Sequence, residues 1–231
     1  MSPFRAAALA VFVLLALFPH SSYAAVCLAR DDAGYRLLVD GKDFYVKGIG
    51  IGPNTGYPDG MSPELKRAID LASESGANAI RTWSTQCGKE LLDYCQTRGL
   101  KVCMGLWIQH ERHGFDYGDR KAVAAQLESM RADVLALKDH PALLMWGVGN
   151  EVETESRDVR VWDAVNDVSR MIHELDGNHP TMYVVADYNA PVARLIETRV
   201  PDVDLIGVNS YANLGNCLAR WDSSRDRRPI I

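Results

Sequence analysis

The chain has 231 residues, 47% hydrophobic and 24% charged, with a formal net charge of −5. That balance belongs to an ordinary globular protein of one or two domains. The acidic excess leaves no basic footprint of the kind a nucleic acid needs.

Residues 1–24 differ from the rest. Arg5 is their only charge, Ala6 to Phe18 is almost wholly apolar, and Ser22-Tyr23-Ala24 offers small residues at a cleavage point. This layout predicts a secretory signal peptide, and the apolar run is short for a membrane span. The protein is therefore expected to be secreted or periplasmic, with no membrane attachment after cleavage; an uncleaved anchor is the alternative. Residues 25–231 are read as one domain. Export permits disulfides, but the five cysteines are an odd number with no metal-site spacing. Cys95 and Cys103 lie in apolar surroundings and read as core. Cys87 and Cys217 follow strand ends, where a bridge is conceivable, and Cys27 stands near the mature start.

A hairpin-like lead-in around Tyr35 to Lys42 precedes a first core strand, Phe44 to Gly52. Ser62-Pro63-Glu64 opens a helix with a hydroxyl cap, a proline at the first position and an acid, and Gly76 is placed to end it. Asn78 to Trp83 reads as the second strand, Lys89 to Arg98 as a helix closed by Gly99, and Lys101 to Ile108 as the third strand. A long helix follows from Asp119, with Val123, Leu127, Met130, Val134 and Leu137 forming one apolar stripe. The run Ala142 to Trp146 is a short apolar strand buried on both faces. A helix from near Ser156 carries the stripe Val161, Val165, Val168, Ile172 and Leu175. Thr181 to Ala186 is the fifth strand, Pro191 to Thr198 a short helix, Asp204 to Tyr211 the sixth strand, and Pro229-Ile230-Ile231 the opening of a seventh.

Strand and helix alternating this regularly imply a parallel sheet with helical crossovers. No phosphate-cradling glycine motif follows the first strand, against a dinucleotide fold. The expected fold is α/β, a (β/α)8 barrel of which about six units and the start of strand seven are present.

In such a barrel the C-terminal strand ends converge on one pocket. Read in order they offer Pro53 and Asn54; Arg81, Thr82 and Trp83; Trp107, Gln109, His110, Glu111 and His113; Asn150, Glu151 and Glu153; Asp187; and Asn209 and Tyr211. Aromatic rings suit the C–H faces of sugars, and amides and carboxylates suit their hydroxyls. Arg81 ends an otherwise apolar strand, so a carboxylate partner is expected, at the site or as an ion pair of the rim. His110-Glu111-Arg112-His113 lacks the metalloprotease spacing and reads as sugar contact or loop polarity, with a metal-dependent hydrolase using His110 and His113 as a third, weaker reading. His140, His173 and His179 read as structural. Glu153 is expected at the rim, towards substrate or solvent.

The stretch Trp146-Gly147-Val148-Gly149-Asn150-Glu151 resembles the Trp-x-x-Gly-Asn-Glu signature of the retaining glycoside hydrolases built on the (β/α)8 barrel. Together with Phe44 to Gly48, Asn78 to Trp83, Gly105 to Ile108, His140-Pro141-Ala142 and Gly207 to Tyr211, the chain from about residue 40 resembles the barrel of glycoside hydrolase family 2. The resemblance implies a secreted retaining glycosidase of β-linked oligo- or polysaccharides, hydrolytic or transglycosylating; no cofactor or metal is expected from the residues. It implies that Glu151 is the general acid/base, protonated for the first step, and that Asn150 holds the sugar 2-hydroxyl. Arg81 and Tyr211 would lie near the nucleophile, Trp83 and Trp107 would shape the pocket, and His110 and Asn209 would contact substrate. The family's nucleophile is a Glu at the end of strand seven, which does not occur by Ile231. The expectation is an incomplete catalytic domain; the alternative is a non-catalytic carbohydrate-binding barrel.

Overall fold

A computed structural model describes residues 25–32, 34–51, 60–211, 214–223 and 228–231. The expected signal peptide and the strand-one pair Pro53 and Asn54 lie outside the described residues. The chain opens as an antiparallel sheet of β1 (Val26–Asp31), β2 (Gly34–Val39) and β3 (Lys42–Asp43). The hairpin-like lead-in is the second half of this sheet. β1 is an addition, paired with β2 from Val26 opposite Val39 to Asp31 opposite Gly34.

Six parallel strands follow, hydrogen-bonded side by side in chain order: β4 (Gly48–Gly50), β5 (Ala79–Arg81), β6 (Lys101–Leu106), β7 (Leu143–Asn150), β8 (Thr181–Val185) and β9 (Leu205–Val208). Five crossover helices join them: α1 (Pro63–Glu74), α2 (Gly88–Thr97), α3 (Arg120–Leu137), α4 (Arg160–Leu175) and α5 (Ala190–Arg199). A sixth, α6 (Leu214–Ser223), follows β9. A doubly wound sheet reverses its strand order part-way. Here the order never reverses, and the result is an incomplete (β/α)8 barrel of six units. Pro229 to Ile231 begins a seventh strand. Ile206 N donates to Pro229 O at 3.0 Å, Ile231 N to Ile206 O at 2.9 Å, and Val208 N to Ile231 O at 3.0 Å.

The helix boundaries follow from their caps. Ser62 Oγ accepts from Leu65 N at 3.2 Å ahead of Pro63, and Gly76 leaves α1 at a φ of +82°. Asp119 caps α3 by accepting from Lys121 N and Ala122 N. Met130, Val134 and Leu137 of the predicted α3 stripe are buried, with Val123 and Leu127 packed against them. α4 starts at Arg160 rather than near Ser156, because the hydroxyl of Ser156 and the amides of Arg157 and Asp158 are turned to Glu111.

Side chains from the outer strand face, such as Ile80, Met104, Trp146 and Tyr183, pack with the helices in one core. The inner face builds a second core from Ala79, Cys103, Met145, Met182 and Leu205, joined by Leu28, Leu37 and Phe44 from the N-terminal segment. Since Val26 N donates to Asn178 O, just ahead of β8, the small sheet stops the lower mouth of the barrel. All five cysteines are free thiols. The bridge considered for Cys87 and Cys217 is not formed, and the Cys217 thiol donates to Asp187 at 3.0 Å. No helix of the described residues is long and apolar enough to cross a membrane.

Candidate active site

Alternation of side chains along a strand decides which groups reach the barrel interior. On β5, Ala79 faces inward and Ile80 outward, so Arg81 and, past the strand end, Trp83 point inward. On β9, Leu205 is inward and Ile206 outward, which sends Asn209 inward. All three line a 460 Å³ cavity of the inner face. On β6, Cys103 and Gly105 are inward and Trp107 follows them.

β7 departs from this rule twice. Its register slips against β6 at Leu144, so that Leu144 and Met145 both join the inner core. It slips against β8 between Val148 and Asn150. The residue passed over is Gly149, at a φ of +73°, a conformation that glycine adopts without strain. Val148 faces the helices. Strict alternation would send Asn150 the same way, and the bulge at Gly149 brings it inward instead. Glu151 then turns with a φ of +52° while its N donates to Val184 O at 2.8 Å.

These strand ends meet in one network. Arg81 Nη2 donates to Asn150 Oδ1 at 2.8 Å, and Asn209 Nδ2 donates to the same oxygen at 3.0 Å. Two donors on one side-chain atom identify it as the carbonyl oxygen, so the amide NH2 of Asn150 is left to face a ligand. Asn209 Nδ2 also donates to Glu151 Oε1 at 2.6 Å, and the exposed Tyr211 donates to that oxygen at 3.0 Å. The bond to Glu151 raises the Tyr211 hydroxyl above its ordinary range.

Among the described residues Arg81 does not have the carboxylate partner expected of it. Its direct bond is to an amide, its face lies 5.1 Å from the Trp83 ring centre, and its Nε is buried without a partner. Burial pushes the guanidinium below its ordinary value, with Cys103, Glu151 and Tyr211 opposing.

Trp107 stacks on His110 at 4.9 Å between ring centres, and His110 lies 5.0 Å from His113. His110 is 0% exposed, and neither ring nitrogen has a hydrogen-bond partner. Burial, followed by Arg112 and His113, pushes it down to about 4, so it is neutral at pH 7. The structure places it behind Trp107 rather than on the open surface. Among the described residues no group of three or more His, Cys, Asp and Glu side chains is placed to hold a metal.

Glu153 is not at the rim. One carboxylate oxygen accepts from Tyr183 at 2.7 Å and the other from Ala186 N at 2.8 Å, which folds it back onto β8. Burial raises its carboxyl above the ordinary value despite these bonds. The predicted signature contained Trp146 as well, but its ring faces the helices and donates to Asp176 at 2.7 Å. Each histidine read as structural meets an aspartate: His140 meets Asp93, His173 meets Asp204, and His179 meets Asp176.

A family model described as "Glycosyl hydrolases family 2, TIM barrel domain" matches residues 33–231. Beta-glucuronidase of Mus musculus is 29% identical over 182 residues, 76% of this chain and 26% of that protein. Beta-mannosidase A of Emericella nidulans is 27% identical over 124 residues, 53% of this chain and 13% of that protein. The chain thus spans about a quarter or less of the length of these curated relatives. Among solved structures, a beta-D-glucuronidase from Dictyoglomus thermophilum superposes with a TM-score of 0.69 at 24% identity, over 90% of this chain and 38% of that one. A family 2 member from Bacteroides cellulosilyticus gives 0.66 at 20% identity, over 90% and 26%. At such identities the structural likeness bears on the fold.

Proposed function

The chain belongs to glycosyl hydrolase family 2, of which it carries the TIM barrel domain, and from the site it builds we propose the catalytic barrel of a retaining β-glycosidase with Glu151 as general acid/base. The observation that carries this reading is the carboxylate of Glu151 held by Asn209 and Tyr211 at the strand ends, beside the inward amide of Asn150. In the first step Glu151 gives its proton to the departing glycosidic oxygen while a second carboxylate attacks the anomeric carbon. In the second it takes a proton from the water that releases the sugar. Such carboxyl pairs stand about 5–5.5 Å apart. The same intermediate passes to a sugar acceptor in transglycosylation.

Glu153 cannot be the second carboxyl in this geometry, since both its oxygens are engaged with β8. We assign the nucleophile to polypeptide continuing the strand begun at Pro229 to Ile231. Ile206 pairs with Ile230 and Val208 N donates to Ile231 O, so the next two residues of that strand come level with Val208 and Asn209. A carboxylate there would meet the buried, unpartnered Nε of Arg81. The names of the curated relatives support a β-linked glycoside as substrate. The apolar stretch Ala6 to Phe18 supports export.

The test uses the protein encoded by the full reading frame, aryl and alkyl β-glucuronides and β-mannosides, and proton NMR of the first-formed product. The β anomer is expected first. In the step that forms the glycosyl-enzyme, read from kcat/KM, Glu151→Gln should slow alkyl glycosides by about 10²–10⁴-fold, the range of general acid catalysis, and spare activated aryl glycosides, whose kcat falls instead because the second step loses its base. An α-anomeric first product, or equal loss on both classes, rules the mechanism out. Binding of these sugars with no cleavage by the wild-type protein would establish a carbohydrate-binding barrel instead.

A further inference from the structure

We propose that Glu111 is a positioning residue for the acid/base. Standing on the loop after β6, it fixes the turn that carries Glu151 at a set distance from the Trp107 wall. The inference rests on the reading of Glu151 given above.

One oxygen of Glu111 collects three donors from the segment between β7 and α4. Ser156 Oγ donates to it at 2.6 Å, Arg157 N at 2.8 Å and Asp158 N at 3.0 Å. These bonds hold the carboxyl below its ordinary range, so the staple stays charged in mild acid. They tie together two strand-end loops whose residues are 45 to 47 positions apart in sequence. The loop after β6 also carries Trp107, His110 and His113, so the staple sets the spacing between the aromatic wall and the acid.

The path from the staple back to Glu151 has no slack. Thr154 N donates to Glu151 O, and Ser156 N donates to Glu153 O, both at 3.1 Å. The two turns overlap at Glu153 and Thr154, and Glu153 is itself fixed to β8. Within this path Glu151 and Glu155 stand at φ values of +52° and +62°. Non-glycine residues keep that conformation only where the surroundings over-determine it. Glu153 supplies that constraint from the β8 side and Glu111 from the β6 side. Withdrawing the Glu111 charge lets the Ser156 end relax, and the overlapping turns pass the movement to the carboxylate of Glu151.

A purely structural role would differ in its consequences. A carboxylate ahead of α4 also faces the positive end of that helix. If Glu111 did no more than cap α4, its loss would lower stability and reduce every activity in proportion.

The experiment compares Glu111→Gln, Ser156→Ala and Glu151→Gln in the protein encoded by the full reading frame. Each is assayed on two glycosides of one sugar, with a dinitrophenyl and an alkyl leaving group. Glu111→Gln should lower kcat/KM on the alkyl glycoside by about 10²-fold, the scale set by roughly 1 Å of misplacement, and leave the dinitrophenyl glycoside nearly unchanged. Ser156→Ala, which removes one donor of three, should shift selectivity in the same direction by less, and it decides the matter if Glu111→Gln fails to fold. Equal loss on both substrates in Glu111→Gln or Ser156→Ala, while Glu151→Gln discriminates between them, overturns the positioning role and leaves the acid/base reading intact. No discrimination in Glu151→Gln overturns both.

Discussion

Asn209 holds Glu151 and Asn150 with a single amide group, donating to the first at 2.6 Å and to the second at 3.0 Å. One residue of the sixth barrel strand thereby aims the two polar groups of the fourth. Asn209→Ala should lower kcat/KM by roughly 10- to 100-fold, since a hydrogen bond to a charged group is worth about 1.5–3 kcal/mol. Asn209→Asp should cost more, because it replaces the donor by an acceptor facing Glu151. Wild-type kinetics in Asn209→Ala would show that the bond does not matter to turnover.

Two glycines of the inner face predict opposite outcomes. A Cβ on Gly105 would stand 2.4 Å from Thr82 O and 2.5 Å from the backbone carbon of Trp83, whereas on Gly147 its nearest neighbour is at 3.5 Å. Gly105→Ala should destabilise at or above the top of the roughly 1–3 kcal/mol range for overpacking, because backbone has nowhere to yield. Gly147→Ala should be tolerated. Urea denaturation of both variants checks the contrast, and similar midpoints would contradict it.

The pair of His173 and Asp204 makes stability depend on pH. The hydrogen bond to Asp204 raises His173 above 6.5. Its contribution is therefore fully present below that value and is lost as pH rises through the higher folded value. Burial pushes Asp204 up, but the bonds from His173 and Thr181 outweigh it and leave its carboxyl below 3.8. That contribution is present above 3.8 and is lost as pH falls through the lower folded value. The pair thus stabilises most between these limits. With the His173 side chain 39% exposed, solvent screening keeps the effect under about 1 kcal/mol. The stability gap between wild type and His173→Ala should be widest near pH 5 and close in alkali. A gap constant with pH would exclude the ionic contribution.

Trp146 belongs to the signature by sequence and to the scaffold by position. Trp146→Phe removes the donor to the buried Asp176 and should cost about 1–3 kcal/mol in denaturation. The preference among leaving groups should not move. A changed preference would place the indole closer to the chemistry than its outward orientation does.

The barrel was legible because its signals are local and repeated. Ser62 and Asp119 cap where a polar residue precedes an apolar stripe, and Gly76 and Gly99 follow the helices that they close. Two elements gave no comparable signal. β1 buries only Val26, so it shows no alternation. α6 has Cys217 as its buried residue, too little for a stripe. At the site, Arg81, Asn150, Glu151, Asn209 and Tyr211 were foreseen together because barrel strand ends converge. Their bonds to one another were not. The amide partner of Arg81, the folding back of Glu153 and the staple from Glu111 are tertiary relationships between distant loops, which no spacing within one segment encodes. The inward turn of Asn150 was in principle visible, since the residue directly before it, Gly149, takes a left-handed step freely.

That step at Gly149 divides β7 into two lengths with separate duties. Below it, Leu143 to Val148 answer to the hydrophobic interior; above it, Asn150 and Glu151 answer to their polar neighbours on β5 and β9. A change that rotates or repacks the lower length has no fixed means of rotating the upper one. Variants of the apolar segment are therefore free to differ in melting temperature while reacting alike, and the chemistry is insulated from drift in the material beneath it.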